Sequence, residues 1–193
     1  MDDIDLITAC ARSDTRALRS LHARHARAAF AFALRMLGNE ADADDAVAEA
    51  FYEVWRQASR FAGHSSVRTW ILGIVRHKAL DLLRSRGACL EDPLDDEEAA
   101  CVADQGMTPF EWLAERQRVQ IVAECMDALP AAQKESLHLA LLEGMTLAEI
   151  AQVQGVPDNT VATRIHHGKR KLKDCVAAAL GLKNSASRRD SST

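Results

Sequence analysis

The stretch "TVATRIHHGKRKLK", residues 160–173, gathers Arg164, His166, His167, Lys169, Arg170, Lys171 and Lys173 in a chain whose formal net charge is −4. Guanidinium and ammonium groups at this density suit phosphate, through charge-assisted hydrogen bonds and counterion release. A solvated helix face has the same composition, so the elements that position the run must decide. A second group lies in "FAGHSSVRTWILGIVRHK", residues 61–78, where Ser65, Arg68, Arg76, His77 and Lys78 surround Trp70. An exposed aromatic among cations suits stacking on an unpaired base, whereas a core Trp would have no such use. A third group is acidic: Asp44, Asp45 and Glu49 fall early in "ADADDAVAEAFYEVWRQ", residues 41–57.

Each group needs a helix to hold it. Residues 41–57 read as one, with Val47, Phe51, Val54 and Trp55 inward and the acids near the positive end of the helix dipole. Residues 61–86 read as a Gly/Ser loop followed by a helix, with Trp70, Ile71, Ile74, Leu80 and Leu83 available for packing. Further on, "EWLAERQRVQIVAECMDALP" puts Trp112, Val119, Val122, Met126 and Leu129 on one face and ends at Pro130. "AAQKESLHLALLEG" is a second helix, with Leu137 and Leu141 four apart and Gly144 as C-cap. In "TLAE", Thr146 and Glu149 have the spacing of a capping box. The helix "LAEIAQVQ" is expected to bury Leu147, Ile150 and Ala151 and to stop at Gly155. Pro157 or Asp158 opens the last helix.

On that last helix Val161, Ile165 and Leu172 point inward, while Asn159, Ala162, Thr163, His166, Arg170 and Lys173 fall on or beside the outward face. A capped short helix, a Gly turn and a second helix with an apolar inner stripe make a helix-turn-helix. In that motif the second helix lies in the major groove, its first turns read base edges and flanking cations hold phosphates. The basic run continues the reading helix, so it is placed to grip phosphate. A helical hairpin with a basic face is the alternative.

The chain is 193 residues long and 48% apolar, with few aromatics, which favours helices over strands. Its charge falls into blocks: net +2 over residues 1–88, net −9 over 89–115 and net +3 over 116–193. The expected fold is all-α. Residues 1–88 form one small helical domain, 89–108 an acidic linker, 109–182 a second helical domain containing the helix-turn-helix, and 183–193 a disordered tail. The acidic start "MDDIDLITAC" does not read as a secretion signal, and the longest apolar run, "AAFAFAL", is far shorter than the ~20 residues a membrane helix needs. The expectation is a cytoplasmic protein with no membrane insertion. Five scattered Cys, at 10, 89, 101, 125 and 175, suggest reduced, mostly buried thiols. His22 and His25 could share a helical face, but no third ligand is near, so a surface pair is expected and neither a metal nor a cofactor.

Together these stretches resemble the extracytoplasmic-function (ECF) sigma factors of bacterial RNA polymerase, over about 5–88 and 110–175. "DADDAVAEAFYEVW" resembles the region 2 helix that docks on the polymerase. "FAGHSSVRTWILGIVRHKALDLLR" resembles the loop and helix that open and read the −10 element. "LPAAQKESLHLALLEGMTLAEIAQVQGVPDNTVATRIHHGKRKL" resembles region 4, which reads the −35 element. The chain departs from the family at Ala48, where Gln is usual, at His77, where Asn is usual, and at Ala162, Thr163, His167 and Gly168 of the reading helix.

The resemblance implies a sigma factor rather than an enzyme. It implies three partners: core RNA polymerase, promoter DNA and an anti-sigma protein. It assigns Asp44, Asp45 and Glu49 to polymerase binding. It assigns Ser65, Arg68, Trp70, Arg76, His77 and Lys78 to the −10 strand. With the outward face of the last helix, it assigns Asn159, Thr163, Arg164, His166, His167, Lys169 and Arg170 to the −35 duplex. The rival readings are a helix-turn-helix regulator that ignores polymerase and, from another class, a His/Cys metal sensor or metalloenzyme.

Overall fold

The structure, a computed structural model, describes residues 1–87 and 109–181. The expected linker over 89–108, Cys89, Cys101 and the tail 183–193 lie outside the described residues. Among those described, all regular structure is helical: α1 (Asp3–Ala11), α2 (Thr15–Leu37), α3 (Glu40–Gln57), a 3₁₀ turn (Ala58–Arg60), α4 (Val67–Gly87), α5 (Pro109–Asp127), α6 (Ala131–Leu141), α7 (Leu147–Gln154) and α8 (Asp158–Ala179). The chain divides into two compact units, one drawn from Met1–Glu91 and His138–Val161, the other from Asp92–Leu137 and Ala162–Thr193.

In the first unit the helix starts are written in the sequence. Asp2 and Asp5 form a capping box on α1, with Asp5 N donating to Asp2 at 2.7 Å and Asp2 N donating to Asp5 at 3.0 Å. Asn39 caps α3 by accepting from Asp42 N at 3.0 Å. Asp3 ties α1 to α2, accepting from Arg24 and meeting His25 Nε2, both at 2.7 Å. Burial pushes the Asp3 carboxyl up, but Arg24 and His25 together outweigh it and hold the pKa below the ordinary aspartate value. Ile7, Leu21, Phe32, Phe51, Val54, Ile71, Leu72 and Val75 fill the interior. Each contributes roughly 1.5–3 kcal/mol by leaving water. Cys10 is buried among them, and burial, then the Asp14 charge, raises its thiol pKa.

The two histidines of residues 22–25 serve separate partners. His25 faces Asp3, whereas His22 packs edge-on against Phe51 with ring centroids 4.7 Å apart.

In the second unit the expectation of reduced thiols is corrected: Cys125 on α5 and Cys175 on α8 form a disulfide, with Cα atoms 5.8 Å apart. The pairing depends on how the helices bearing two cysteines 50 residues apart are brought together, which Cys spacing cannot reveal. Gly168 of α8 lies against α6, and a Cβ there would stand 3.0 Å from Leu137 Cδ1. The missing side chain permits the approach.

Several inward assignments are also corrected. Val119 and Val122 on α5 are each 41% exposed, while Cys125 and Leu129 are the buried residues. Trp112 lies outside the residues whose side chains are described. Leu141 is 55% exposed because α6 ends there, and its buried positions are Ser136, Leu137, His138 and Leu139. These are consecutive, so the helix is enclosed there instead of burying one stripe. Leu147 is 44% exposed, since it opens α7 while Ile150, Ala151 and Val153 carry the inner face. Leu83, near the end of α4, is 39% exposed.

Candidate nucleic-acid interface

The acidic face of α3 is built by its helical period. Ala43, Val47, Ala50, Phe51 and Val54 are buried, which leaves Asp44, Asp45, Ala48 and Glu49 outward and exposed. Glu49 meets Lys78 Nζ of α4 at 3.2 Å. An expected polymerase-facing residue therefore touches an expected DNA-facing one, and α3 and α4 present adjoining surfaces of opposite charge.

The loop before α4 turns at Gly63, whose φ of +72° is accessible to glycine without strain. Ser66 then starts the helix: its Oγ accepts from Thr69 N at 3.1 Å and lies 2.7 Å from Thr69 Oγ1. This start aims Trp70 at Phe61, with ring centroids 5.2 Å apart, and leaves Trp70 half-buried. Trp70 is neither a full core residue nor a free platform, since its ring is braced on one side and reachable from the other.

Beside it opens a cleft of about 610 Å³. Ser65, Thr69, Trp70, His77 and Lys78 line it from the loop and α4, with Glu53 from α3. Four expected −10 residues, Ser65, Trp70, His77 and Lys78, thus surround one hollow. Arg68 and Arg76 do not line it. Sequence reasoning missed Glu53, Gln57 and Thr69. Thr69 had a signal, as the third residue of a Ser-capped helix, but the α3 residues needed the packing of α3 on α4.

The far wall of the cleft comes from α7 of the same unit, through Gln152 and Val153. Gln152 Nε2 donates to the His64 carbonyl at 3.3 Å, and Thr69 Oγ1 donates to Glu149 at 3.2 Å. Just before α7, Glu143 receives Arg68 twice, at its carbonyl at 2.8 Å and at its carboxylate. Arg35 of α2 reaches the same carboxylate at 3.3 Å, and the Glu143 side chain is only 6% exposed. Glu149 also closes the expected capping box, accepting from Thr146 N at 2.9 Å. The Thr146 backbone, then its hydroxyl, hold the Glu149 carboxyl below the usual glutamate range.

Gly155, at φ +65°, ends α7, and α8 follows after Pro157. Asn159, Thr163, His166 and Arg170 recur at steps of four, three and four, and all are exposed along one stripe, with Lys169 and Lys173 beside it. The opposite stripe, Val161, Ile165, Gly168 and Leu172, is buried or half-buried. Arg164 and His167 are half-buried, and Arg170 Nη2 lies 3.1 Å from His167 Nδ1. The outward stripe has polar groups at its start and cations further along.

Residues 21–89 match the family described as Sigma-70 region 2, and residues 120–172 match Sigma-70, region 4, in that order along the chain. The chain belongs to the sigma-70 family. Its relatives among sigma-70 proteins are of the ECF group. The ECF RNA polymerase sigma factor SigE of Mycolicibacterium smegmatis is 28% identical over 154 residues, which cover 80% of this chain and 59% of that one. SigK of Mycobacterium sp. strain JLS is 27% identical over 90% of this chain and 91% of its own. Among solved structures, CnrH in complex with the cytosolic domain of CnrY superposes with a TM-score of 0.65 at 28% identity, over 91% of this chain and 97% of CnrH. RpoE of Bartonella quintana, solved with the anti-sigma factor NepR, shares the fold at a TM-score of 0.65 and 20% identity, over 82% of this chain and 95% of RpoE. In sigma-70 terms, α3, α4 and the cleft residues they carry fall in region 2, and the α7–α8 pair, with the cleft residues Gln152 and Val153, falls in region 4.

Proposed function

We propose that this ECF-type sigma factor recruits core RNA polymerase to promoters and helps open them. Exposed Asp44, Asp45 and Glu49 form the docking face. Trp70, His77 and Lys78, with Ser65, hold an unpaired −10 base in the cleft, and Arg68 and Arg76 bind the strand beside it. In the −35 major groove, Asn159, Thr163, His166 and His167 face base edges, while Arg164, Lys169 and Arg170 hold phosphates. The protein acts in the cytoplasm as a regulator without catalysis of its own. An anti-sigma protein restrains it until a stress or envelope signal arrives, as the complexes of CnrH and RpoE suggest by likeness.

The observation that carries this reading is the pair of sigma-70 regions in order, each with its outward polar face. The test is transcription from genomic DNA with purified core polymerase and this protein. Discrete start sites preceded by shared −10 and −35 sequences are expected. Absence of binding to core polymerase would refute the reading and favour a stand-alone helix-turn-helix regulator.

A further inference from the structure

We propose that the outward face of α2 is a further phosphate-holding surface, one that grips the backbone of duplex DNA without reading its sequence. It lies outside every residue assigned above to polymerase, to the −10 strand or to the −35 duplex, and it stands whether or not those assignments do. From Thr15 to Leu37 the helix carries Arg16, Arg19, Arg24, Arg27 and Arg35 and no Asp or Glu. Two of these arginines are engaged inside the fold: Arg24 meets Asp3, and Arg35 meets Glu143. Arg16, Arg19 and Arg27 are exposed and have no side-chain partner among the described residues. At about 100° per residue these three fall within roughly 80° of arc, opposite the buried Leu21. Ala17, Leu21 and Phe32 face inward, where α2 packs on α1, α3 and α4, so the stripe takes the side that the other helices leave open. The acids nearest in sequence are engaged elsewhere. Asp14 accepts from the Arg16 backbone N–H at 2.8 Å, Asp2 and Asp5 close the capping box of α1, and Asp3 holds Arg24 and His25. Guanidiniums gathered on one helix face repel one another, and anions lying over them relieve that repulsion.

The chemistry of the face selects its occupant. Between the cations stand Ser20, whose hydroxyl donates to the Arg16 carbonyl at 3.1 Å, and Ala23, both exposed. From Arg16 to Arg27 the stripe includes no large apolar side chain, whereas a protein interface has an apolar centre inside its polar rim. Nor does it include an aromatic ring, which a single-stranded nucleic acid uses as a stacking platform. What it does present is a row of planar guanidinium forks, the group that meets phosphate oxygens two at a time. The helix rises about 16.5 Å from Arg16 to Arg27, while each strand of B-DNA carries a phosphate every ~3.4 Å of its axis. A helix laid along the backbone therefore meets several phosphates at once. Contacts of this kind hold a protein on the duplex at any sequence and leave base reading to other surfaces.

The test uses the full chain in two variants. One combines Arg16→Gln, Arg19→Gln and Arg27→Gln, and the other combines Arg16→Lys, Arg19→Lys and Arg27→Lys. Gln and Lys are good helix formers and the positions are exposed, so circular dichroism should match the parent for both. Fluorescence anisotropy measures binding of a labelled random-sequence duplex, and of a single strand of equal length, over a range of salt. Surface capture measures binding to core polymerase. With one phosphate held by each arginine, the Gln variant loses about 2.7 from the slope of log affinity against log salt on the duplex. Across a fourfold rise in salt it then loses about 40-fold less affinity than the parent. The single strand should show a smaller change, the Lys variant should restore most of the slope, and capture of core polymerase should be unaltered. An unchanged duplex slope in the Gln variant would overturn the inference. So would a Lys variant as weak as the Gln variant, because charge would then not be what binds, or a larger change on the single strand than on the duplex. Weaker capture of core polymerase with an unchanged duplex slope would overturn it in favour of an acidic protein surface.

Discussion

Replacing Arg170 by Ala tests whether the outward stripe of α8 grips phosphate. Arg170 is exposed in the fourth turn, beyond the polar positions Asn159, Thr163 and His166, and its one described partner is His167 Nδ1 at 3.1 Å. That bond puts the acceptor nitrogen of His167 towards the guanidinium, so the pair moves together. Loss of one phosphate contact removes about 0.9 from the slope of log affinity against log salt. Across a fourfold rise in salt, the variant then loses about 3.5-fold less affinity than the parent. The assay is anisotropy with a labelled random-sequence duplex at several salt concentrations, since loss of a phosphate contact weakens binding alike on every sequence. In parallel, sequence selection with His166→Ala should change the preferred bases, because His166 lies nearer the reading end. An unchanged salt slope for Arg170→Ala, or an identical selected motif for His166→Ala, would refute the division of the stripe into gripping and reading residues.

Reversing charge at Asp45 and Glu49 to Lys should weaken binding to core polymerase with the fold intact, as both are exposed; binding measured by surface capture of core enzyme checks it. Thr146→Ala should cost about 1 kcal/mol in urea unfolding, because it removes a helix cap. Glu149 is held below its ordinary pKa, so its stabilising contribution is full above the ordinary glutamate value and is lost as pH falls through the lowered folded value. Glu149→Gln should therefore reduce the acid dependence of unfolding, measured by circular dichroism from neutral to acid pH. Cys125→Ser should lower the stability of the second unit by about 4 kcal/mol, on the chain-entropy argument for a closed loop of this length, and a reductant should do the same to the parent but not to the variant.

What could be read in advance was local. The Thr146–Glu149 box, the stop at Gly155 and the exposed series Asn159, Thr163, His166 and Arg170 each depend on neighbours within a few turns. The inner face of α3 was legible for the same reason, since Val47, Phe51 and Val54 obey one period on a helix with a single buried side. That logic misled at Leu141 and Leu147, which have the right spacing but sit at helix ends, where the covering neighbours run out. It misled again at Val119 and Val122, because apolar spacing names a face and cannot say whether another helix lies on it. Cys125 with Cys175 and Glu143 with Arg35 and Arg68 lay beyond reach for a different reason. Their partners are distant in sequence, and nothing in the type or spacing of either member marks the pairing. The cleft was half legible: its cations and Trp70 stood out, whereas Glu53 and Gln57 looked like ordinary polar positions of a surface helix.

The empty position at Gly168 has a further use. Leu137 Cδ1 would stand 3.0 Å from a Cβ placed there, so the reading helix already rests on its support with no clearance. Position 168 then works as a shim. Ala, Ser and Val would insert successively thicker spacers beneath α8 while leaving every outward side chain chemically unchanged. A graded loss of duplex affinity along that series, with the preferred sequence unaltered, would measure how closely the height of the helix must be set for its side chains to reach the floor of the groove.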